Sequence, residues 1–172
     1  MLLEIQRSLM PLVYASLLDR PHEWLSLLVD DEEPYVRRLF RRFPQGQISL
    51  HEIPPCTGKP LVHRHRRPSA VEVVHVPAGG RYLHHLGWSP DDHPPAPDLF
   101  SVHELHSGDA YSLPDPHMWH AVEIIGEPIL SVNFTSVTPF ASVPEREVRH
   151  PLGPLSRSEF DRLRTAFLER LS

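Results

Sequence analysis

From Gln47 to Thr135 the chain is cut into short apolar runs by proline and glycine, and this punctuation narrows its fold more than any other feature. The runs cover 47–53, 60–65, 71–76, 81–86, 98–105, 110–113, 119–125 and 129–135. Runs of this size suit strands and are too short for stable helices. Twenty prolines against eight glycines provide rigid turns between them. About eight strands at this spacing predict an all-β domain, an antiparallel barrel or jelly roll. The stretch 89–97, rich in proline and aspartate, is expected to be an exposed loop.

The two ends read differently. Residues 1–43 read as helical, with Leu2, Leu3, Ile5, Leu9, Leu12 and Val13 forming an apolar face that Pro11 should break or kink. Pro21 is expected to open a second short helix that fades at Asp30-Asp31. Near the C-terminus Ser156-x-x-Glu159 forms a capping box, and Phe160, Leu163, Phe167 and Leu171 form one apolar stripe. That stripe predicts a helix packed on the barrel. The expected organisation is one globular domain: a helical extension at 1–43, the barrel at 44–145, and a tail with its helix at 146–172.

Charge and cysteine usage exclude some function classes. A formal charge of −5 argues against nucleic acid as a main partner. Sixteen arginines stand against a single lysine, Lys59, and runs such as Arg37-Arg38 and Arg41-Arg42 read mostly as a solvated face. Cys56 is the only cysteine, so no internal disulfide forms and a reducing, cytoplasmic setting is expected. Glu4 and Arg7 interrupt the N-terminal apolar stretch, so no signal peptide is expected, and no apolar run approaches membrane-spanning length.

The chemistry concentrates in histidine, of which there are thirteen. His63-Arg64-His65 places two imidazoles at i and i+2, on one face of a strand, where they can grip one metal ion from one side. Gly108-(x5)-Pro114-(x5)-His120 then brings a third histidine from a distant strand behind a Gly/Pro turn, completing a facial site with open positions. His120 is the preferred third ligand, because the apolar strand resumes right after it; His117 is the reserve. Glu72 is either a fourth ligand or a strand glutamate paired with an arginine. Imidazole suits Fe, Zn, Ni and Cu alike, so these residues do not choose the metal.

These two blocks resemble the paired motifs of cupins, His-x-His…Glu-(x6)-Gly and Gly-(x5)-Pro-x-Gly-(x2)-His. Glu72-(x6)-Gly79 is in register, the gap from His65 to Glu72 is longer than usual, and the second motif lacks its inner glycine. Further segments narrow the resemblance to the cysteine dioxygenase family of thiol dioxygenases. They are Tyr35-Val36-Arg37, Gly46-Gln47-Ile48-Ser49-Leu50, Pro60-Leu61-Val62-His63-Arg64-His65, Gly108-Asp109, His120-Ala121-Val122 and Glu127-Pro128-Ile129-Leu130-Ser131.

The resemblance implies that His63, His65 and His120 hold Fe(II), with Ni, Mn or Zn as alternatives. It implies that the thiolate and amine of a small thiol amino acid bind the iron, and that Arg37, with Tyr35 beside it, grips the carboxylate. Both atoms of dioxygen then go to sulfur, giving a sulfinate. A guanidinium suits this role because it donates two parallel hydrogen bonds to a carboxylate. The chain departs from the family where Ser-x-His-x-Tyr becomes Ser131-Val132-Asn133-Phe134-Thr135, and where Glu72 replaces a cysteine or glycine. Ser131, Asn133 and Thr135 share one face and are the expected catalytic positions there. The departures leave room for another product, through C–C cleavage or rearrangement in specialised biosynthesis. The alternatives are a 3-His/1-Glu oxygenase or isomerase with a non-thiol substrate, and a non-catalytic ligand-binding cupin. Expected partners are the small molecule and dioxygen, with neither nucleic acid nor membrane, in a monomer or homodimer.

Overall fold

The computed structural model describes residues 2–29, 36–44, 46–56, 58–60, 62–64, 70–113, 115–136 and 153–171. Helix α1 (Leu2–Asp19) and a 3-10 turn (Pro21–Glu23) lead into β1 (Leu25–Val29), β2 (Val36–Phe43) and β3 (Gly46–Ile53). Then come β4 (His63–Arg64), β5 (Ala70–His75), β6 (Arg81–Trp88), β7 (Ser101–Leu105), β8 (Ala110–Ser112), β9 (Met118–Ile125) and β10 (Ile129–Ser136). Helix α2 (Arg157–Leu171) closes the chain. The strands form two antiparallel sheets, one of six in the order β1-β2-β3-β10-β5-β8 and one of four in the order β4-β9-β6-β7. This is an antiparallel two-sheet arrangement of the jelly-roll kind with flanking helices.

Register separates the two faces of the larger sheet. Leu39, Leu50, Val132 and Val73 lie in one cross-strand row. The first three join Val13 and Leu17 of α1 and Phe160, Leu163 and Phe167 of α2 in the larger apolar core. The helices therefore cover the outer face of this sheet. The alternate residues, with Val74 and Ile129 among them, face the smaller sheet, where they meet Tyr82 and Ile124. Among the described residues the outer core has eleven buried members and the inner one four. At roughly 1.5–3 kcal/mol per buried large apolar side chain, most hydrophobic stabilisation lies outside the barrel. The space between the sheets is thus left to polar groups.

Two expectations are corrected. Residues 25–29 and 36–43 are strands, not helix. In β2 the apolar positions Val36, Leu39, Phe40 and Phe43 fall at a helical spacing because both faces of the strand are covered. Leu39 points to the helices and Phe40 sits on the opposite face beside Ser49, so alternation is lost. Helix α1 also runs unbroken through Pro11. Burial of Val13 and Leu17 against the sheet core offsets the roughly 3 kcal/mol that an interior proline costs.

The capping box at the start of α2 forms as expected. Glu159 N–H donates to Ser156 Oγ at 3.3 Å, and Ser156 N–H donates to Glu159 Oε2 at 3.1 Å. The motif glycines Gly79 and Gly108 both adopt positive φ, 87° and 91°, in the turns after β5 and β7. Gly108 N–H bonds Val74 O at 2.9 Å, tying the β7–β8 turn to β5. Among the described residues no helix is long and apolar enough to cross a membrane.

Candidate metal centre and the polar lumen

In the smaller sheet β4 pairs with β9 so that His63 stands directly opposite His120. The side of β9 and its other neighbour β6 that carries His120 also carries Val122 and Ile124 with Leu86, His84 and Tyr82, and it faces the larger sheet. The sequence pattern that placed two histidine blocks 55 residues apart thus becomes a single cross-strand pair. His65 and the side chain of His63 lie outside the described residues. Among the described residues no three His, Cys, Asp or Glu side chains cluster tightly enough to hold a metal.

His120 is 3% exposed, and its Nδ1 lies 3.0 Å from Nε2 of His84, which is 1% exposed. The His84 contact engages Nδ1, so a metal on this imidazole would be held through Nε2. A buried imidazole with Nδ1 engaged, opposite a second histidine at matched register, fits a divalent metal of the Fe, Zn, Ni or Cu class. The reserve candidate is placed elsewhere. His117 is exposed in the loop before β9, its N–H bonded to Asp115 Oδ1 at 2.8 Å and its ring 6.1 Å from Trp88.

Across the lumen, the larger sheet presents Ser49, His51, Glu72, Tyr111, Ser131 and Asn133 on the inner face. Glu72 is the centre of this wall. Ser131 Oγ donates to its Oε1 at 2.5 Å and Tyr111 Oη to its Oε2 at 3.0 Å, while His51 Nδ1 sits 3.8 Å from Oε1. Because Tyr111 spends its proton on Glu72, the 2.9 Å contact between the phenol oxygens makes Tyr82 the donor to Tyr111. Burial alone pushes the Glu72 carboxyl up; His51, Ser131 and Tyr111 outweigh it and hold the group well below the usual carboxylate range. Burial pushes both phenols well above their usual value, and the Glu72 charge pushes them further, so they stay protonated donors.

The expected catalytic positions separate accordingly. Ser131 bonds Glu72, and Thr135 Oγ1 donates to Asn133 Oδ1 at 2.9 Å on the same face. Both oxygens of Glu72 are thus engaged, Oε1 by Ser131 and Oε2 by Tyr111. Arg37 does not reach the lumen. It stands opposite Glu52 on the outer face, with Nη1 3.2 Å from Glu52 Oε2 and Nε 3.7 Å from Glu159 of α2. Arg162 of α2 completes this cluster with two 2.7 Å bonds to Glu52. On the other face of β2 stand Arg38, opposite His51, and Arg42, opposite Gln47 at the strand end; Arg38 is the one beside the Glu72 wall. Tyr35 lies outside the described residues.

Sequence reasoning missed His51, Tyr82, Tyr111 and the role of His84. The only available signal was alternation, since His84 and Tyr82 share a face with the expected ligand strand. Three further histidines have partners of their own: His85 pairs with Glu123 at 2.9 Å, His103 with Ser101 at 3.0 Å and His106 with Asp109 at 3.7 Å.

No family model and no curated protein matches the chain. Solved structures do. Hydroxypropylphosphonic acid epoxidase from S. wedmorenis, in complex with fosfomycin, is similar with a TM-score of 0.48 and 11% identity over 67% of this chain and 56% of its own. Its Fe(II) form is similar at the same TM-score and identity, over 67% and 57%. KdgF from Halomonas sp. is similar with a TM-score of 0.42 and 19% identity over 69% of this chain and 92% of its own. The match thus spans little more than half of the epoxidase's length.

Proposed function

We propose that this chain is a mononuclear non-haem iron enzyme of the cupin type that uses dioxygen to oxidise a small thiol amino acid, cysteine or a near relative. The observation that carries the reading is the strand register of His63 opposite His120, which is buried on the lumen side and backed by His84. His63, His65 and His120 would hold the metal, leaving one face of it to substrate. Bound Fe(II) would supply activation of dioxygen and of the thiol. The net reaction adds both oxygen atoms to sulfur, a thiol plus dioxygen giving a sulfinic acid with no other product.

The remaining lumen residues bind and orient. Tyr111 and Ser131 hold the Glu72 carboxylate, with Tyr82 donating in turn to Tyr111, so the charge stays behind the phenols. Asn133 and Thr135 offer neutral polar groups where the resembling family has an imidazole and a phenol. For the substrate carboxylate the register favours Arg38, on the His51 side of β2, over Arg37 on the helix side.

The test is oxygen uptake by Fe(II)-loaded protein on adding L-cysteine, with His63→Ala as control and the product analysed by mass. Uptake that vanishes in the variant, with a product heavier by two oxygen atoms, is the expected result. Absence of uptake with cysteine and its near relatives would overturn the thiol reading.

A further inference from the structure

We infer that His84 is a positioning residue for His120: it holds that imidazole in the one tautomer able to offer Nε2 to a metal. This rests on the metal site proposed above. The two rings meet edge-on, with centroids 5.2 Å apart and planes at 82°, and one 3.0 Å contact joins His84 Nε2 to His120 Nδ1. A neutral imidazole carries a single N–H, so this contact holds one proton, on one nitrogen or the other. If His84 donates, His120 must keep its own proton on Nε2, and that nitrogen cannot ligate. If His120 Nδ1 donates, Nε2 presents its lone pair. A metal on Nε2 therefore requires His84 as the acceptor.

The surroundings of His84 keep that acceptor in place. Tyr82 meets its ring edge-on at 6.1 Å and 86°, and Tyr111 lies against it at 4.2 Å. The two phenols are bonded to each other at 2.9 Å, and Tyr111 is anchored on Glu72 at 3.0 Å. The chain from Glu72 through Tyr111 and Tyr82 thus forms a frame on which His84 rests. Glu72 then serves the metal site from behind, through the ring that orients His120.

Zinc titration of the full chain, comparing wild type with His84→Phe, His84→Gln and His120→Ala, tests this. Phenylalanine fills the space without an acceptor, whereas the glutamine amide oxygen can accept at the position of Nε2. His84→Phe is expected to weaken zinc binding about 10–100-fold, the usual effect of losing such a partner. His84→Gln is expected to recover most of the affinity, a rescue that a purely space-filling role would not give. Nitrogen NMR of the metal-free wild type adds a readout that needs no variant: His120 should carry its proton on Nδ1. Wild-type affinity in His84→Phe, glutamine as weak as phenylalanine, or a proton on Nε2 would each overturn the inference. His120→Ala separates the two claims. If it binds zinc as tightly as wild type, the metal site itself is wrong; if it alone loses zinc, only the role of His84 falls.

Discussion

At the scale of single residues, Glu72 shows how a buried charge is kept. An unpartnered carboxylate here would protonate rather than remain ionised. Two hydroxyl donors and His51 reverse that preference. Glu72→Gln sets an amide N–H against a hydroxyl donor, so about 2–3 kcal/mol of stability should be lost at pH 7. The folded carboxyl titrates below its unfolded value of about 4.3, so its stabilisation is complete above that value and is lost as pH falls toward the folded one. In urea unfolding, the gap between wild type and Glu72→Gln should be full at pH 7 and narrow below about pH 4. A gap unchanged between those values would show that the charge itself contributes nothing. The glutamate was visible in sequence as half of a metal motif, but its partners were not, since Ser131 and Tyr111 lie 59 and 39 residues away.

At the scale of elements, β2 decides which arginine can meet a substrate. Its register puts Arg37 opposite Glu52 under α2 and Arg38 opposite His51 on the inner face. Arg37→Ala is expected to cost about 1 kcal/mol of stability, given its partial exposure, and to leave KM for the proposed thiol substrate unchanged. Arg38→Ala should raise KM with a smaller effect on kcat, as loss of a carboxylate contact would. A KM effect in Arg37→Ala alone would reverse the assignment. The strand itself was misread because its apolar residues serve two covered faces. The eight later strands were legible because turns of proline and glycine bound each of them. The capping box and stripe of α2 were legible for the same local reason.

At the scale of the molecule, the fold divides labour between two layers. The helices and the outer face of the six-stranded sheet hold the larger apolar core, and the lumen between the sheets is free to be polar. Truncation in the outer layer should therefore change stability without changing metal affinity. Phe167→Ala is expected to lose about 3–5 kcal/mol and, while folded, to bind metal like wild type. The two histidine blocks could be linked from sequence by their motifs, but not their meeting as a cross-strand pair, which depends on how β4 docks beside β9. The most direct test of the central claim is metal stoichiometry and affinity in His63→Ala, His120→Ala and His117→Ala. One metal per chain, lost in the first two variants and retained in the third, is the predicted result. Full metal content in His120→Ala, or its loss in His117→Ala, would contradict the account.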